Sequence, residues 1–315
     1  MATVSVVMSV FNGERHLRES IESILRQSFE DFEFLIINDG STDGSRDILA
    51  EYQRQDRRIR LIDQENRGLT LSLIRGCAEA RGRYIARQDA GDVSLPQRLA
   101  KQVSYLEDHA EISLLSCWTR FLGPEDEELY CVVRRETPEE ATSRLRCLDA
   151  RRLQGVTHHG STMFRRADYE RVGGYRSQFR VAQDLDLWLR LTDSGRLAFL
   201  PEVLYLARFD ADSISGHHHA AQVALIDVML ESMRARQKGA DEEPLLRKAQ
   251  AICQRTRRRS RHGVARGMYF IGRCLLERGD SRGMKYLRSA VRYNPFHLRA
   301  WAMIVLSRAG RFEST

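Results

Sequence analysis

Between Phe32 and Ser45 the chain reads Phe-Glu-Phe-Leu-Ile-Ile-Asn-Asp-Gly-Ser-Thr-Asp-Gly-Ser, an apolar run that breaks into an acidic, glycine-rich turn. Phe34 to Ile37 has the composition of a strand buried on both faces, and Gly40 and Gly44 allow the tight geometry that ends it. Asp39 then stands at the carboxyl end of the strand, where open α/β sheets hold their ligands. A carboxylate there accepts hydrogen bonds from the N–H groups of a base and repels phosphate, so the turn reads as a nucleotide-sugar site. No phosphate loop competes, because neither a G-x-x-x-x-G-K-[ST] nor a G-x-G-x-x-G pattern occurs in the chain. A second reading of the same residues is structural: Asp39, Ser41 and Asp43 can cap the helix that follows, Arg46 to Gln53.

The elements around this turn alternate. Val4 to Val10 is an apolar strand ending in Phe11-Asn12-Gly13, and Leu17, Ile21, Ile24 and Leu25 share one face of the helix after it. The Phe32 to Ile37 strand leads to a helix ending near Tyr52, then a short strand from Arg60 to Ile62. Asn66-Arg67-Gly68 precedes a helix from Leu69 to Ala80, and a strand from Tyr84 to Ala86 runs into Arg87-Gln88-Asp89-Ala90-Gly91-Asp92. Such alternation predicts an α/β fold with a mostly parallel sheet and right-handed crossovers. Further on, Gln183-Asp184 opens a helix whose Leu185, Trp188, Leu189 and Leu191 form an apolar face ended by Gly195. Asp184 alone would be no more than a helix-dipole partner, as Asp92 would be an N-cap before Leu95-Pro96. His158-His159 precedes a predicted strand from Thr162 to Phe164, and a run of three histidines at 217 to 219 resembles a metal cluster in composition only, since adjacent side chains diverge.

Five segments, in order, resemble family 2 glycosyltransferases with the GT-A fold: Val4 to Asn12; Asn38-Asp39-Gly40-Ser41-Thr42-Asp43; Asn66-Arg67-Gly68-Leu69; Asp89 to Asp92; and Gly173-Gly174-Tyr175 followed by Gln183-Asp184-Leu185-Asp186-Leu187-Trp188. The resemblance spans residues 1 to 215. It implies transfer of a sugar from a nucleoside diphosphate sugar, a UDP-sugar above other donors, to a saccharide, lipid-linked or protein hydroxyl, with inversion, in glycan or polysaccharide synthesis. By the same resemblance Phe11, Glu14, Asp39, Arg67 and Asp89 contact the donor, and His158 and His159 lie on the acceptor side. Asp184 is then the general base. The family's D-x-D turn implies a divalent cofactor, Mn²⁺ or Mg²⁺, held here by Asp89 and Asp92. The sequence departs from the family at Gly91, where an acid is usual, at Gln183, and at Asp210, which replaces a histidine and so becomes a further candidate metal ligand. Gly91 and Gln183 leave open a nucleotide-sugar-binding protein without turnover.

After residue 215 the pattern is helical throughout: 219 to 237, Glu243 to Arg258, Ala265 to Arg278, Ser281 to Tyr293 and His297 to Ala309. Leu287 to Pro295 resembles part of a tetratricopeptide repeat, short of the three units that such stacks need. Residues 216 to 315 are therefore expected to form a helical extension leaning on the 1 to 215 domain, or an interaction module in its own right. The 315 residues carry a net charge of +7, with five arginines between Arg255 and Arg261. No recognised nucleic-acid module or aromatic interleaving accompanies them, which excludes nucleic acid and favours a peripheral contact with the inner, cytoplasmic membrane leaflet. Six cysteines without C-x-x-C spacing predict reduced thiols and a cytoplasmic protein, and the absence of an N-terminal signal or long apolar run agrees.

Overall fold

The structure, a computed structural model, describes residues 2–211, 219–254 and 261–308. A nine-stranded sheet runs through the molecule in the order β3-β2-β1-β4-β8-β6-β9-β5, with β7 paired to β6. The first strands are β1 (Val4–Val10), β2 (Phe32–Asp39), β3 (Ile59–Gln64) and β4 (Tyr84–Asp89), all mutually parallel and linked by helices α1 (Glu14–Leu25), α2 (Ser45–Gln55) and α3 (Leu69–Ala78). β3 and β4 extend beyond the apolar stretches predicted for them. Pairing carries polar residues into the ladder, as where Asp39 meets Gln64 and Ser9 meets Asp89. Because β2 lies on one side of β1 and β4 on the other, the winding reverses at β1, and a crevice opens at the carboxyl ends of these strands.

The second half of the sheet is mixed. After β5 (Val93–Ser94) and α4 (Arg98–Asp108), β6 (Ile112–Leu122) runs parallel to β9 (Arg196–Arg208) but antiparallel to β7 (Glu128–Val132) and β8 (Met163–Arg165). Three more helices, α5 (Pro138–Leu145), α6 (Arg166–Arg171) and α7 (Gln183–Leu191), fill the intervals. Alternation along the parallel strands splits the core in two. Val4, Val6, Met8 and Val10 pack with α1, α2 and α4, while Val7, Leu35, Ile37 and Ile85 pack with α3 and α7 on the opposite face.

The C-terminal helices divide between those faces. α8 (His219–Gln237) and α9 (Glu243–Gln254) place Leu225, Val228, Met229 and Cys253 in the core beside α7. α10 (Arg261–Glu277) and α11 (Gly283–Tyr293) place Ile271, Leu275 and Tyr286 in the other, and α12 (Leu298–Arg308) closes over Leu276 and Leu287. The extension thus grips both sides of the sheet. The expected boundary at 215/216, two of the three histidines (217 and 218) and Arg255 to Arg259 lie outside the described residues. Among those described, no helix is long and apolar enough to cross a membrane.

Candidate active site

The turns after β1 and β2 are stitched to each other. Asn12, at φ +52°, accepts the Thr42 amide on Oδ1 (2.8 Å), Ser41 Oγ accepts the Asn12 amide (3.1 Å), and Glu14 Oε2 accepts the Gly44 amide (2.6 Å). Asp43 caps α2 through the Ser45 amide (3.0 Å). Asp39, 1% exposed, does not take part in that cap. Its Oδ1 accepts from Gln64 Nε2 (2.7 Å) and the Arg67 amide (2.9 Å), and its Oδ2 accepts from the Gly68 amide (2.8 Å). Asp39 therefore fastens the Asn66–Gly68 turn across the ends of β2 and β3. A cavity of about 400 Å³ opens beside that turn, lined by Asn66 to Leu71 and Arg180. Phe11 is half exposed, and Arg67 exposes its side chain at the cavity wall.

On the other side of β1, the turn after β4 rests on two arginines with no solvent exposure. Arg87 donates to Asp89 Oδ1 (2.6 Å) and to the Val7 carbonyl, and Arg98 donates to the carbonyls of Arg87 (2.7 Å) and Gly160 (2.9 Å). Burial alone would raise the Asp89 carboxyl; the Arg87 guanidinium overcomes it and holds the group below the usual carboxylate range. Asp92 differs. Its Oδ1 accepts the Arg208 amide (2.8 Å), but its buried Oδ2 has no partner at hydrogen-bonding geometry. Burial, reinforced by the negative Asp89, pushes the Asp92 carboxyl up to about 6, against the opposing pull of His158 and the nearby Tyr205 hydroxyl.

His158 stands over these acids. Its Nδ1 lies 3.5 Å from Asp92 Oδ2 and 4.0 Å from Asp89 Oδ2, and it accepts the Gly160 amide (3.1 Å), which marks it as the unprotonated ring nitrogen. Tyr205 stacks on the ring at 5.6 Å and Phe121 meets it edge-on at 5.6 Å. Any side chain at Gly160 would collide with Tyr205, since a Cβ there falls 1.9 Å from the hydroxyl. One potential ligand atom each from Asp89, Asp92 and His158 thus lies within 4.8 Å of the other two; Asp92 Oδ2 has no donor, whereas the His158 Nδ1 lone pair is taken by the Gly160 amide and would exchange it for an ion. Hard oxygens with an imidazole nitrogen suit a divalent ion such as Mn²⁺ or Mg²⁺, so the residues present fit the implied cofactor.

Asp184 lies in the first turn of α7, after Ala182 at φ +57°, and accepts the Leu185 amide (2.9 Å). Burial raises its carboxyl, and Asp89 adds to the rise while His158 counters it, which places the three groups within electrostatic reach. His159 is different from its neighbour: it is buried, its Nε2 meets the Tyr175 hydroxyl at 2.7 Å and Arg87 Nε at 3.4 Å, and burial followed by Arg87 lowers it to about 3. It is a neutral spacer that ties the Gly173-Gly174-Tyr175 motif to the floor of the site.

The fold therefore brings together Asp89, Asp92 and His158, leaves Asp184 within electrostatic reach of Asp89 and His158, and sets Glu14, Asp39 and Arg67 along the adjoining turns. Asp210 is exposed two residues beyond β9 and is not part of the ion-binding cluster among the described residues. Arg87, Arg98 and Tyr205 were not singled out by sequence. The signal that marks Arg87 is an arginine directly after the apolar Tyr84–Ala86 stretch, two residues from Ile85 and so on the same face of the strand. Gly91 adopts φ +97°, so the turn itself is shaped for glycine where the family carries an acid.

Reversed winding at β1, with a cavity and an acidic cluster at the strand ends, is the arrangement in which doubly wound sheets bind nucleotides. The profile described as Glycosyl transferase family 2 matches residues 5–173, more than half of the chain, so the protein belongs to that family and is a glycosyltransferase. It is 37% identical over 216 residues to EpsE of Bacillus subtilis (strain 168), named as a glycosyltransferase, covering 67% of this chain and 74% of that one. Among solved structures, TarS 1-349 of S. aureus in complex with UDP-GlcNAc overlays with a TM-score of 0.53 at 13% identity, covering 98% of this chain and 92% of TarS 1-349. The mannosyltransferase PcManGT of Pyrobaculum calidifontis, in complex with GDP-Man and Mn²⁺, overlays with a TM-score of 0.53 at 17% identity, over 96% and 83% of the two chains. At these identities the overlays establish the fold.

Proposed function

We propose that the protein is an inverting, metal-assisted transferase that moves a sugar from a nucleoside diphosphate donor, with uridine as the favoured base, to a hydroxyl of a glycan, lipid-linked or protein acceptor. The observation that carries this reading is the grouping of Asp89, Asp92 and His158, with Asp92 Oδ2 lacking a donor and the Asp184 carboxyl within electrostatic reach of Asp89 and His158. A bound Mn²⁺, as in the PcManGT complex, or Mg²⁺ would supply charge stabilisation for the departing diphosphate. Asp89, Asp92 and His158 would hold it, with His158 in the place that the sequence gives to Asp210. Asp39 keeps the 66–68 turn closed by taking the Arg67 and Gly68 amides, so that the Arg67 side chain faces the donor, and Phe11 and Glu14 shape the opposite lip. Asp184 accepts the proton of the acceptor hydroxyl as its oxygen attacks the anomeric carbon and the carbon–oxygen bond to the diphosphate breaks. The elevated carboxyl of Asp184 strengthens it as a base.

Gly91 favours the rival reading of a binder without turnover. The glycine conformation of that turn and the histidine standing over it count against the rival, because Asp89, Asp92 and His158 offer three ligand groups without an acid at 91. A thermal-shift screen of UDP-, GDP- and dTDP-sugars with and without Mn²⁺ identifies the donor, since a ligand at about 100 times its dissociation constant stabilises by about 2.7 kcal/mol. Incubation of the hit with glycan acceptors then tests transfer, and NMR of the product tests inversion. Metal-dependent binding without hydrolysis or transfer would establish the rival, and no metal dependence would remove the assigned ligand set.

A further inference from the structure

Helix α12 is apolar on two opposite faces. Ala300, Met303 and Ile304 turn inward, Met303 and Ile304 onto Leu276 and Leu287, whereas Leu298, Trp301 and Val305, spaced three and four residues apart, face outward at 79%, 47% and 62% exposure. Phe296, just ahead of the helix, is 86% exposed. Trp301 Nε1 donates to the Pro295 carbonyl (2.9 Å), which pins the indole beside the loop that presents Phe296. Water-facing helix sides normally carry charged residues, and a contiguous exposed apolar surface marks a contact site. Nothing in sugar transfer at the β1 switch point uses this one.

The charge around it says what it meets. Residues 261–308 contain ten Lys and Arg but only two Asp and Glu, a net of +8, leaving 40 basic and 41 acidic residues in the rest of the chain, whose total is +7. The whole positive excess thus belongs to α10 to α12. Both acids of the segment are already engaged, Glu277 with Arg273 and Asp280 with Arg282. Arg288, Arg292 and Arg299 are exposed and have no acidic partner among the described residues. Phenylalanine, tryptophan and aliphatic side chains on α12, with exposed arginines at 299 on the same helix and at 288 and 292 on the helix before it, match a segment lying in the headgroup boundary of an anionic bilayer. A second copy of the same face would bring like charges together.

We propose that α12 and the loop before it dock the protein on an anionic phospholipid surface, with Phe296, Leu298, Trp301 and Val305 entering the acyl boundary and Arg288, Arg292 and Arg299 at the phosphates. This inference stands apart from the donor site: it survives even if no sugar is transferred. The test is flotation of the full chain with phosphatidylcholine vesicles, with and without phosphatidylglycerol. Binding is expected only with the anionic lipid. The triple variant Arg288→Gln/Arg292→Gln/Arg299→Gln should bind about 100-fold more weakly, at about 1 kcal/mol per arginine. Phe296→Ser/Trp301→Ser should not bind, with a circular dichroism spectrum and melting temperature like the parent's. As a second measurement on the unaltered protein, brominated lipid should quench tryptophan emission, and that quenching should vanish in Trp301→Phe. Absence of flotation, binding undiminished in both variants, or a concentration-dependent dimer that Phe296→Ser/Trp301→Ser dissolves would overturn the proposal, the last by assigning the face to a second copy.

Discussion

Asp39 and Asp92 flank the same strand, follow parallel strands at the same edge of the sheet, and are buried to nearly the same degree, 1% and 4% exposed. Their surroundings are opposite. Asp39 receives three N–H donors and closes a turn, whereas Asp92 has one amide on Oδ1, nothing on Oδ2, and a second acid and an unprotonated histidine nitrogen across a short gap. A fully satisfied carboxylate in the interior is a fastener; an unsatisfied one is held at a free-energy cost that a cation can offset. The number of hydrogen-bond donors in reach, not the residue type or the strand end, separates the fastened turn at Asp39 from the unsatisfied carboxyl at Asp92.

The largest expected effect tests which side of β1 carries the chemistry. Asp184→Asn keeps size and should lower transfer by about 10² to 10⁴ while leaving donor binding by calorimetry intact. Normal turnover in that variant would take the base away from α7. Next is Asp92→Asn, which should weaken Mn²⁺ by at least about tenfold, since it removes a charged ligand from a set of three. The same variant carries a pH signature. Asp92 titrates near 6 in the folded chain and near its ordinary 3.8 when unfolded, so the fold retains a proton that the unfolded chain releases. Its contribution to metal-free stability is present below the unfolded value and lost as pH rises through the folded one. Urea unfolding across that range should show a fall in the parent that is flatter in Asp92→Asn and reversed by Mn²⁺; identical curves would mean that the carboxyl is already ionised.

Asp39→Asn should do the converse, destabilising by about 1–3 kcal/mol because the Arg67 and Gly68 amides cannot both be satisfied by one carbonyl oxygen. Donor binding should weaken with it and Mn²⁺ affinity should not; a change in metal affinity would merge the two turns into one functional unit. The smallest effect is expected from Gly91→Asp. Restoring the family's acid forces an L side chain to φ +97°, at about 1–2 kcal/mol, with open space around the Cβ and no gain in Mn²⁺ affinity. Tighter Mn²⁺ with unchanged melting would show that His158 does not complete the ligand set.

The order of strands and helices through β4, the placing of Asp39 and Asp89 at strand ends, and the opening of a helix at Asp184 were all written in local periodicity and glycine position. These follow from φ/ψ preference and from burial of alternate or every third-to-fourth residue, which act over a few residues and are visible in one chain. The family resemblance added roles to those positions. Tertiary structure alone decided the rest: that Asp39 fastens the 66–68 turn rather than capping α2, that Arg87 and Arg98 lie under Asp89, that His158 stands beside Asp92, and that the last helices divide between both faces of the sheet. Asp92 and His158 are brought together by antiparallel pairing of β8 with β4, and Asp39 meets Gly68 across a complete βα turn. A carboxylate's partners are set by which distant donors the fold places within about 3 Å, and hydrogen bonds of that range leave no periodic trace in the residues that make them.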